Sequence, residues 1–314
     1  MGKIRAAVVG VGYLGKFHAE KYAQIPEAEL VAVVDTDREK REELAQRLGT
    51  EAVADHREIL DRVDAVSIAV PTRYHHAVAR DFLERGIHVL LEKPITTTLA
   101  EADDLIRIAS AKKLVFQVGH LERFNPAVLA LDAVLNGPRF VESIRIAPFK
   151  PRGTDVNVVL DLMIHDLDII LHFVRSPLRH VDAMGIPVLS DKVDIANARL
   201  AFENGCVANV TASRVTGKTM QKIRFFGTEG YHSVDYAKRE LVSLGRKRKS
   251  NGETEIVQNQ VEVGLQDPLE EEIRSFLEAA ENRRTPKVCG KEARKSLSLA
   301  LAILQSMKTQ EEMP

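Results

Sequence analysis

The chain has only two cysteines, Cys206 and Cys289, and they show no ligand spacing. Two lone thiols exclude a disulfide framework, imply no metal site and fit a reducing compartment. No apolar run approaches the roughly twenty residues that a bilayer-spanning helix needs. A strand-like run begins almost at the first residue, so no leader is expected and a cytoplasmic location is. Neither sign of charge is in excess, since 44 basic residues stand against 45 acidic ones, and the chain therefore has no global field for nucleic acid or an anionic membrane. The local exception is Arg246-Lys247-Arg248-Lys249, beside Gly245 and Ser250-Asn251-Gly252; it reads as a solvated hairpin loop between two strands. Internal repeats and low-complexity tracts are also missing.

What is present begins with Gly10-Val11-Gly12-Tyr13-Leu14-Gly15. Three glycines at this spacing carry weight only in context, and the context is a strand followed by a helix. Ile4 to Val9 is a short β-branched and alanine run, and Leu14 to Ile25 has helical spacing of apolar positions. Gly10 permits the tight turn, Gly12 lets a pyrophosphate approach bare backbone, and Gly15 lets the helix pack against the strand. The helix N-terminus offers free amides and a positive dipole end to the phosphates. A second strand, Leu30 to Val34, ends in Asp35, whose carboxylate can take both ribose hydroxyls and would repel a 2′-phosphate. NAD is therefore favoured over NADP, although Arg38 keeps NADP open.

At 314 residues the chain is long for one core, so two domains are expected. Further strands are predicted at Ala52 to Ala54, Ala65 to Val70, His88 to Leu91 and Val115 to Val118, with helices at Arg38 to Leu48, His75 to Arg85 and Leu99 to Ala111. This alternation predicts a Rossmann, doubly wound parallel sheet over 1–121. Such sheets bind ligands beyond the carboxyl ends of their strands. The expected dinucleotide set is accordingly Gly10, Gly12, Tyr13, Leu14, Gly15, Asp35, Thr36, Arg38, Pro71, Thr72, His75, Glu92 and Lys93.

After a helix at roughly Pro126 to Leu135 the pattern changes. Ile195 to Phe202 and Cys206 to Ser213 flank Asn204-Gly205, a strong hairpin signal, and Phe140 to Ile146, Val181 to Ile186, Lys222 to Phe226 and Glu255 to Val263 would add strands. Residues 122–314 are thus expected to form an α+β domain on a mostly antiparallel sheet. Helical periodicity returns from Asp267 to Lys308, with Pro268 in a first-turn position, and this last helical segment is free to pack back on the first domain.

The stretch Val158 to Val174 is apolar nearly all round and should be a buried helix. Its polar residues are Asp161, His165, Asp166, Asp168 and His172, and at about 100° per residue all but Asp166 fall within an arc of roughly 60°. Such a stripe suits a general base, His165, one turn from the carboxylate of Asp161; a satisfied core histidine is the plainer alternative, and a metal site lacks an obvious third ligand. Lys93 follows a buried strand and precedes Pro94, which fixes the backbone there. Its ammonium could offer a hydrogen bond to a substrate hydroxyl.

The glycine motif, Asp35, Pro71-Thr72, Glu92-Lys93-Pro94 and the Asp161/His165 pair together resemble the glucose-fructose oxidoreductase, inositol dehydrogenase and rhizopine catabolism family, over essentially the whole chain. The resemblance implies an enzyme that oxidises a secondary sugar hydroxyl with NAD, with Lys93, Asp161 and His165 as the catalytic set. His165 would remove the hydroxyl proton with help from Lys93, and Asp161 would orient His165. It also implies that the second sheet is open and builds homo-dimers or homo-tetramers. Three longer stretches, 119–126, 152–156 and 194–199 with 212–214, resemble the branch of UDP-sugar 3-dehydrogenases that serve the making of diamino-sugar lipid A. On that reading Arg123, Arg152 and Arg214 supply forks for a diphosphate, and His120, Glu122, Asn125 and Asp155 contact the sugar. Another sugar, an inositol or a UDP-sugar acid is the nearer rival substrate. The family's non-catalytic repressors give a rival of another class, but such members tend to lack the lysine and histidine.

Overall fold

The computed structural model describes residues 2–149, 156–250 and 253–311, the last four of these by their backbone. In chain order its first elements are β1 (Ile4–Val9), α1 (Gly15–Gln24), β2 (Ala28–Val34), α2 (Arg38–Leu48), β3 (Glu51–Val53), β4 (Ala65–Ile68), α3 (His75–Glu84), β5 (His88–Glu92), α4 (Leu99–Ala111) and β6 (Phe116–Gly119). There follow α5 (Pro126–Asp132), β7 (Phe140–Ile146), α6 (Ile164–Val174), β8 (Leu178–Ile186), β9 (Ile195–Phe202), β10 (Val207–Ser213), β11 (Met220–Phe226), β12 (Gly230–Asp235), β13 (Glu240–Arg248) and β14 (Thr254–Asn259). The chain ends with α7 (Pro268–Asn282) and α8 (Gly290–Glu311). Two compact units result: Met1–Leu121 with Asp267–Leu297, and Glu122–Gln266 with Ser298–Pro314. Residues 267–297, part of the last helical segment that the sequence left free to pack back on the first domain, group with the first unit.

In the first unit six parallel strands lie in the order β3-β2-β1-β4-β5-β6. The order reverses between β1 and β4, which is the switch point where such sheets take ligands. Local chemistry sets the helix ends. Asp37 caps α2 by accepting from the Lys40 amide, and Gly49 closes it in the left-handed region. Thr98 and Glu101 form a reciprocal capping box at the start of α4. Helix α7 buries Ile273, Phe276, Leu277 and Ala279 in one cluster with Ala6, Val8, Ala19, Tyr22 and Leu90, so its apolar face completes the sheet's core. Strand β4 stops at Ile68, two residues before the predicted end, and leaves Ala69 and Val70 in the turn beside the glycine motif.

The second unit is an eight-stranded sheet in the order β14-β13-β12-β11-β7-β10-β9-β8. All its pairs are antiparallel except β10 with β7. Alternation puts Val141, Ala196, Ala198, Leu200, Ala208, Val210, Ile223 and Phe225 in the core. The hairpin at Asn204-Gly205 forms as expected, with Gly205 at φ +83°. Strand β12 had no counterpart in the sequence reading, and β13 only the strand, given no bounds, that was expected to lead into the basic cluster. The basic cluster falls partly in one of them: Arg246, Lys247 and Arg248 pair with Ile256, Glu255 and Thr254 of β14, so they belong to a strand and not to the hairpin loop. All three are exposed, one strand in from the β14 edge of the sheet.

Candidate functional site

The glycine turn of the first unit has the division of labour its spacing suggests. Gly10 sits at φ +85°, and a Cβ there would lie 2.7 Å from the Ala69 carbonyl oxygen. At Gly15 a Cβ would stand 1.7 Å from the Gly10 carbonyl oxygen, so only glycine lets α1 start against the turn. Gly12 differs from both, because a Cβ there meets nothing within 4 Å. Bare backbone facing open space at a helix N-terminus is what a phosphate group requires. Tyr13 and Leu14 are exposed at the same turn.

Asp35 closes this end of the sheet. Its Oδ2 accepts from the Val11 amide at 2.8 Å and its Oδ1 from the Asp37 amide at 2.9 Å, so the carboxylate ties the glycine turn to the end of β2. Thr36 is exposed beside it. Arg38, expected near a 2′-phosphate, points to Glu42 at 2.7 Å and is largely solvated. Arg41, which the sequence reading missed, instead donates to the carbonyls of Asp35 and Thr36, both at 3.2 Å. An arginine one turn into a helix that starts beside the acidic strand end was the signal available for it.

Pro71 is exposed and Thr72 buried in the turn after β4. His75 is buried, with Nδ1 2.8 Å from the Pro94 carbonyl and Nε2 2.9 Å from the Val70 carbonyl. An imidazole so engaged braces the Val70 turn against the Glu92-Lys93-Pro94 segment, a task different from the expected cofactor contact. Burial pulls the His75 ring below its ordinary pKa, against the pull of the two carbonyls. Lys93 is half-buried, and its peptide to Pro94 is cis.

Glu92 is the centre of a buried polar group that the sequence reading did not foresee. Its Oε1 lies 3.0 Å from His18 Nε2, and its Oε2 accepts from the Lys93 amide at 3.2 Å. His18 Nδ1 meets Ser67 Oγ at 3.3 Å, and Tyr22 Oη meets the same hydroxyl at 2.9 Å. A Cβ on Gly119 would come within 3.1 Å of the Glu92 carboxyl, so that glycine makes the room. Burial would raise the Glu92 carboxyl, but the hydrogen bond from His18, with the charge and amide of Lys93, holds it below the usual carboxylate range. His18 and Tyr22 stand four apart on the face of α1 that meets the sheet, a polar pair in a buried stripe, and that spacing could have revealed them. His120, at the end of β6, is buried in the same unit.

In the second unit the predicted helix begins with a wider turn. Ile164 N–H bonds the Val159 carbonyl, an i to i+5 link across Val159–Met163, before α6 proper. Turns of this kind recur at functional sites. The polar stripe divides. Asp168 and His172 are engaged internally, Asp168 3.5 Å from Arg123 and His172 2.9 Å from Asp132. Asp161 and His165 are half-buried, and Asp166, outside the stripe, pairs with Arg145 at 2.7 Å.

The expected sugar and diphosphate contacts fare unequally. Arg123 is buried on Asp168, and Arg214 is buried with Nε 2.7 Å from Asp194, Nη1 on the Val156 carbonyl and Nη2 on Ser190. Both guanidinium groups are thus held by the fold, where free forks were expected. Asn125 caps α5 by accepting from the Ala127 amide while its amide donates to Glu122 and the Tyr236 carbonyl; that is a scaffold role. Glu122 also accepts from Arg145 at 3.1 Å. Arg152 and Asp155 lie outside the described residues.

Residues 4–120 match the model of an oxidoreductase family with an NAD-binding Rossmann fold, and residues 143–233 match the GFO/IDH/MocA C-terminal domain. The UDP-N-acetylglucosamine 3-dehydrogenase of Acidithiobacillus ferrooxidans is 39% identical over 302 residues, 96% of each chain. Its solved structure superposes with a TM-score of 0.89 at 38% identity, covering 98% of this chain and 99% of that one. The myo-inositol 2-dehydrogenase of Thermotoga maritima is 26% identical over 97% of this chain and 96% of its own. A levoglucosan dehydrogenase solved with NADH and L-sorbose shares the fold, with a TM-score of 0.86 at 20% identity and 98% of each chain covered.

Proposed function

The chain belongs to the GFO/IDH/MocA oxidoreductase family, and on that premise we propose that it oxidises a secondary hydroxyl of a nucleotide sugar with NAD, the 3-hydroxyl of UDP-N-acetylglucosamine being the first candidate. The observation that carries this reading is the 39% identity to the A. ferrooxidans dehydrogenase over 96% of both chains, well above that to the inositol dehydrogenase. The open backbone at Gly12 and the carboxylate of Asp35 support NAD as the hydride acceptor. When bound, the dinucleotide supplies the nicotinamide carbon that accepts the hydride.

The residues proposed for the chemistry are Lys93, Asp161 and His165. His165 takes the hydroxyl proton as the carbinol hydride departs, Lys93 holds the hydroxyl oxygen, and Asp161 supports the charge that His165 gains. For the sugar and diphosphate end, His120, Glu122, Arg152 and Asp155 remain proposed contacts, while Arg123, Arg214 and Asn125 are assigned to the scaffold. A homo-oligomer in the cytoplasm, serving lipid A synthesis, completes the proposal. NADH appearance against a panel of nucleotide sugars, free hexoses and inositols tests it. Turnover is expected with UDP-N-acetylglucosamine, and Lys93→Ala should abolish it while leaving NAD affinity within about twofold. Turnover by inositols alone would move the substrate, and NAD binding with silence across the panel would favour a sensor.

A further inference from the structure

We propose that Glu272 and Glu92 form a buried carboxyl pair that shares a single proton, resident on Glu272, and that Glu272 is thereby a positioning residue for the Glu92-Lys93 segment. Only its kinetic arm rests on the dehydrogenase reading.

Glu272 lies on α7, in a run of three glutamates, yet its side chain is fully buried and neither carboxyl oxygen has a hydrogen-bond partner among the described residues. One oxygen of Glu272, one of Glu92 and a ring nitrogen of His18 lie within 4.8 Å of one another. Two carboxylates this close in a buried setting do not both ionise near neutrality. The surroundings decide which one keeps the charge. Glu92 has the His18 ring on one oxygen and the Lys93 amide on the other, with the Lys93 charge nearby. The distances also fit one run of donation, from the Tyr22 hydroxyl to Ser67, from Ser67 to His18 Nδ1, and from His18 Nε2 to Glu92.

Glu272 has no such support. Facing it are His18 and Tyr22 from α1, Glu92 at the end of β5, and Gln117 on β6, whose Nε2 donates to the Glu272 backbone carbonyl at 3.1 Å, with Ser67 of β4 bonded to the His18 and Tyr22 side chains. Burial, and then the negative charge of Glu92, push the Glu272 carboxyl well above the usual range. A neutral Glu272 leaves the cluster with one negative charge, placed on the carboxylate that holds the Lys93 backbone. Ionising it would set a second negative charge beside that segment.

The test needs no substrate to begin. Infrared spectra of the whole protein at neutral pH should show the C=O stretch of a protonated carboxylic acid, absent from Glu272→Gln. In Glu92→Gln, where the neighbouring charge is gone, the same band should titrate away at lower pH than in wild type. Where turnover is measurable, the wild-type pH profile of NADH formation should carry an alkaline transition that Glu272→Gln lacks, since an amide mimics the protonated acid. Three results would overturn the proposal: no protonated-acid band in wild type, an unchanged alkaline transition in Glu272→Gln, or a stoichiometric divalent ion in purified protein that Glu272→Gln loses. Silence in the sugar panel with the band present would defeat the functional reading and leave this inference standing.

Discussion

A methyl group at Gly12 separates folding from cofactor binding. Gly12→Ala adds a Cβ that meets no protein atom within 4 Å, and the backbone there is not in the left-handed region. Without cofactor the variant should be slightly more stable than wild type, by about 0.4–1 kcal/mol, because alanine restricts the unfolded chain. For a unit of this size that is a rise in Tm of about 1–4 °C. With cofactor the sign reverses. The methyl occupies the space through which a pyrophosphate would reach the turn's amides, and the loss of one or two charge-assisted hydrogen bonds at about 1.5–3 kcal/mol each weakens NADH by roughly a hundredfold. At a concentration of about 100 Kd, NADH should stabilise wild type by about 2.7 kcal/mol, or roughly 5–10 °C, and the variant by only about 0.4 kcal/mol. Calorimetric titration gives the affinities and thermal melts with and without NADH give the linkage. Gly15→Ala, whose Cβ would stand 1.7 Å from a carbonyl oxygen, should fail to fold and so marks the contrast. A Gly12→Ala protein that binds NADH as tightly as wild type would refute the assignment of the phosphates to this turn.

Asp35→Ala removes the acceptor for the Val11 and Asp37 amides and should lower kcat/KM for NAD against NADP by at least about tenfold; an unchanged ratio would show that Asp35 only braces the turn. In the second unit, Asp194→Ala leaves the buried Arg214 guanidinium without its carboxylate, and a loss of about 3–5 kcal/mol is expected in denaturant melts. Burial alone would raise the Asp194 carboxyl, but Arg214, the Leu189 and Val188 amides and Ser190 together hold it well below the usual range. Because the folded value is depressed, its stabilisation is present above about pH 4 and is lost as the pH falls toward the folded value. Acid melts should therefore be steeper for wild type than for Asp194→Ala, and parallel curves would count against the assignment.

Where sequence reading matched the structure, the determinants are local. Helices Arg38–Leu48 and Leu99–Ala111 have the predicted bounds, because Asp37 with Gly49 and Thr98 with Glu101 write the ends into neighbouring residues. Strands Phe140–Ile146 and Ile195–Phe202 match equally well, through strict alternation and a turn that only Asn204-Gly205 fits easily. The end of strand Glu240–Arg248 was read as a loop because it is basic and exposed, and pairing with a neighbouring strand, which composition does not encode, gives it its form. Arg123 and Arg214 show the same limit at the site. A guanidinium reads alike whether it awaits a phosphate or is neutralised inside the fold, and its partners Asp168 and Asp194 lie 45 and 20 residues away.

By itself the sequence determined the alternation of strands and helices, the glycine turn and the carboxylate that ends the second strand, since each depends on residues within one or two turns of each other. Tertiary structure alone decided the fate of the charged side chains. Glu270, Glu271 and Glu272 are consecutive and chemically identical, yet only the third is fully buried beside Glu92 and His18. Which face of α7 meets the sheet, and therefore which carboxyl must give up its charge, is set by packing across some 180 residues of chain.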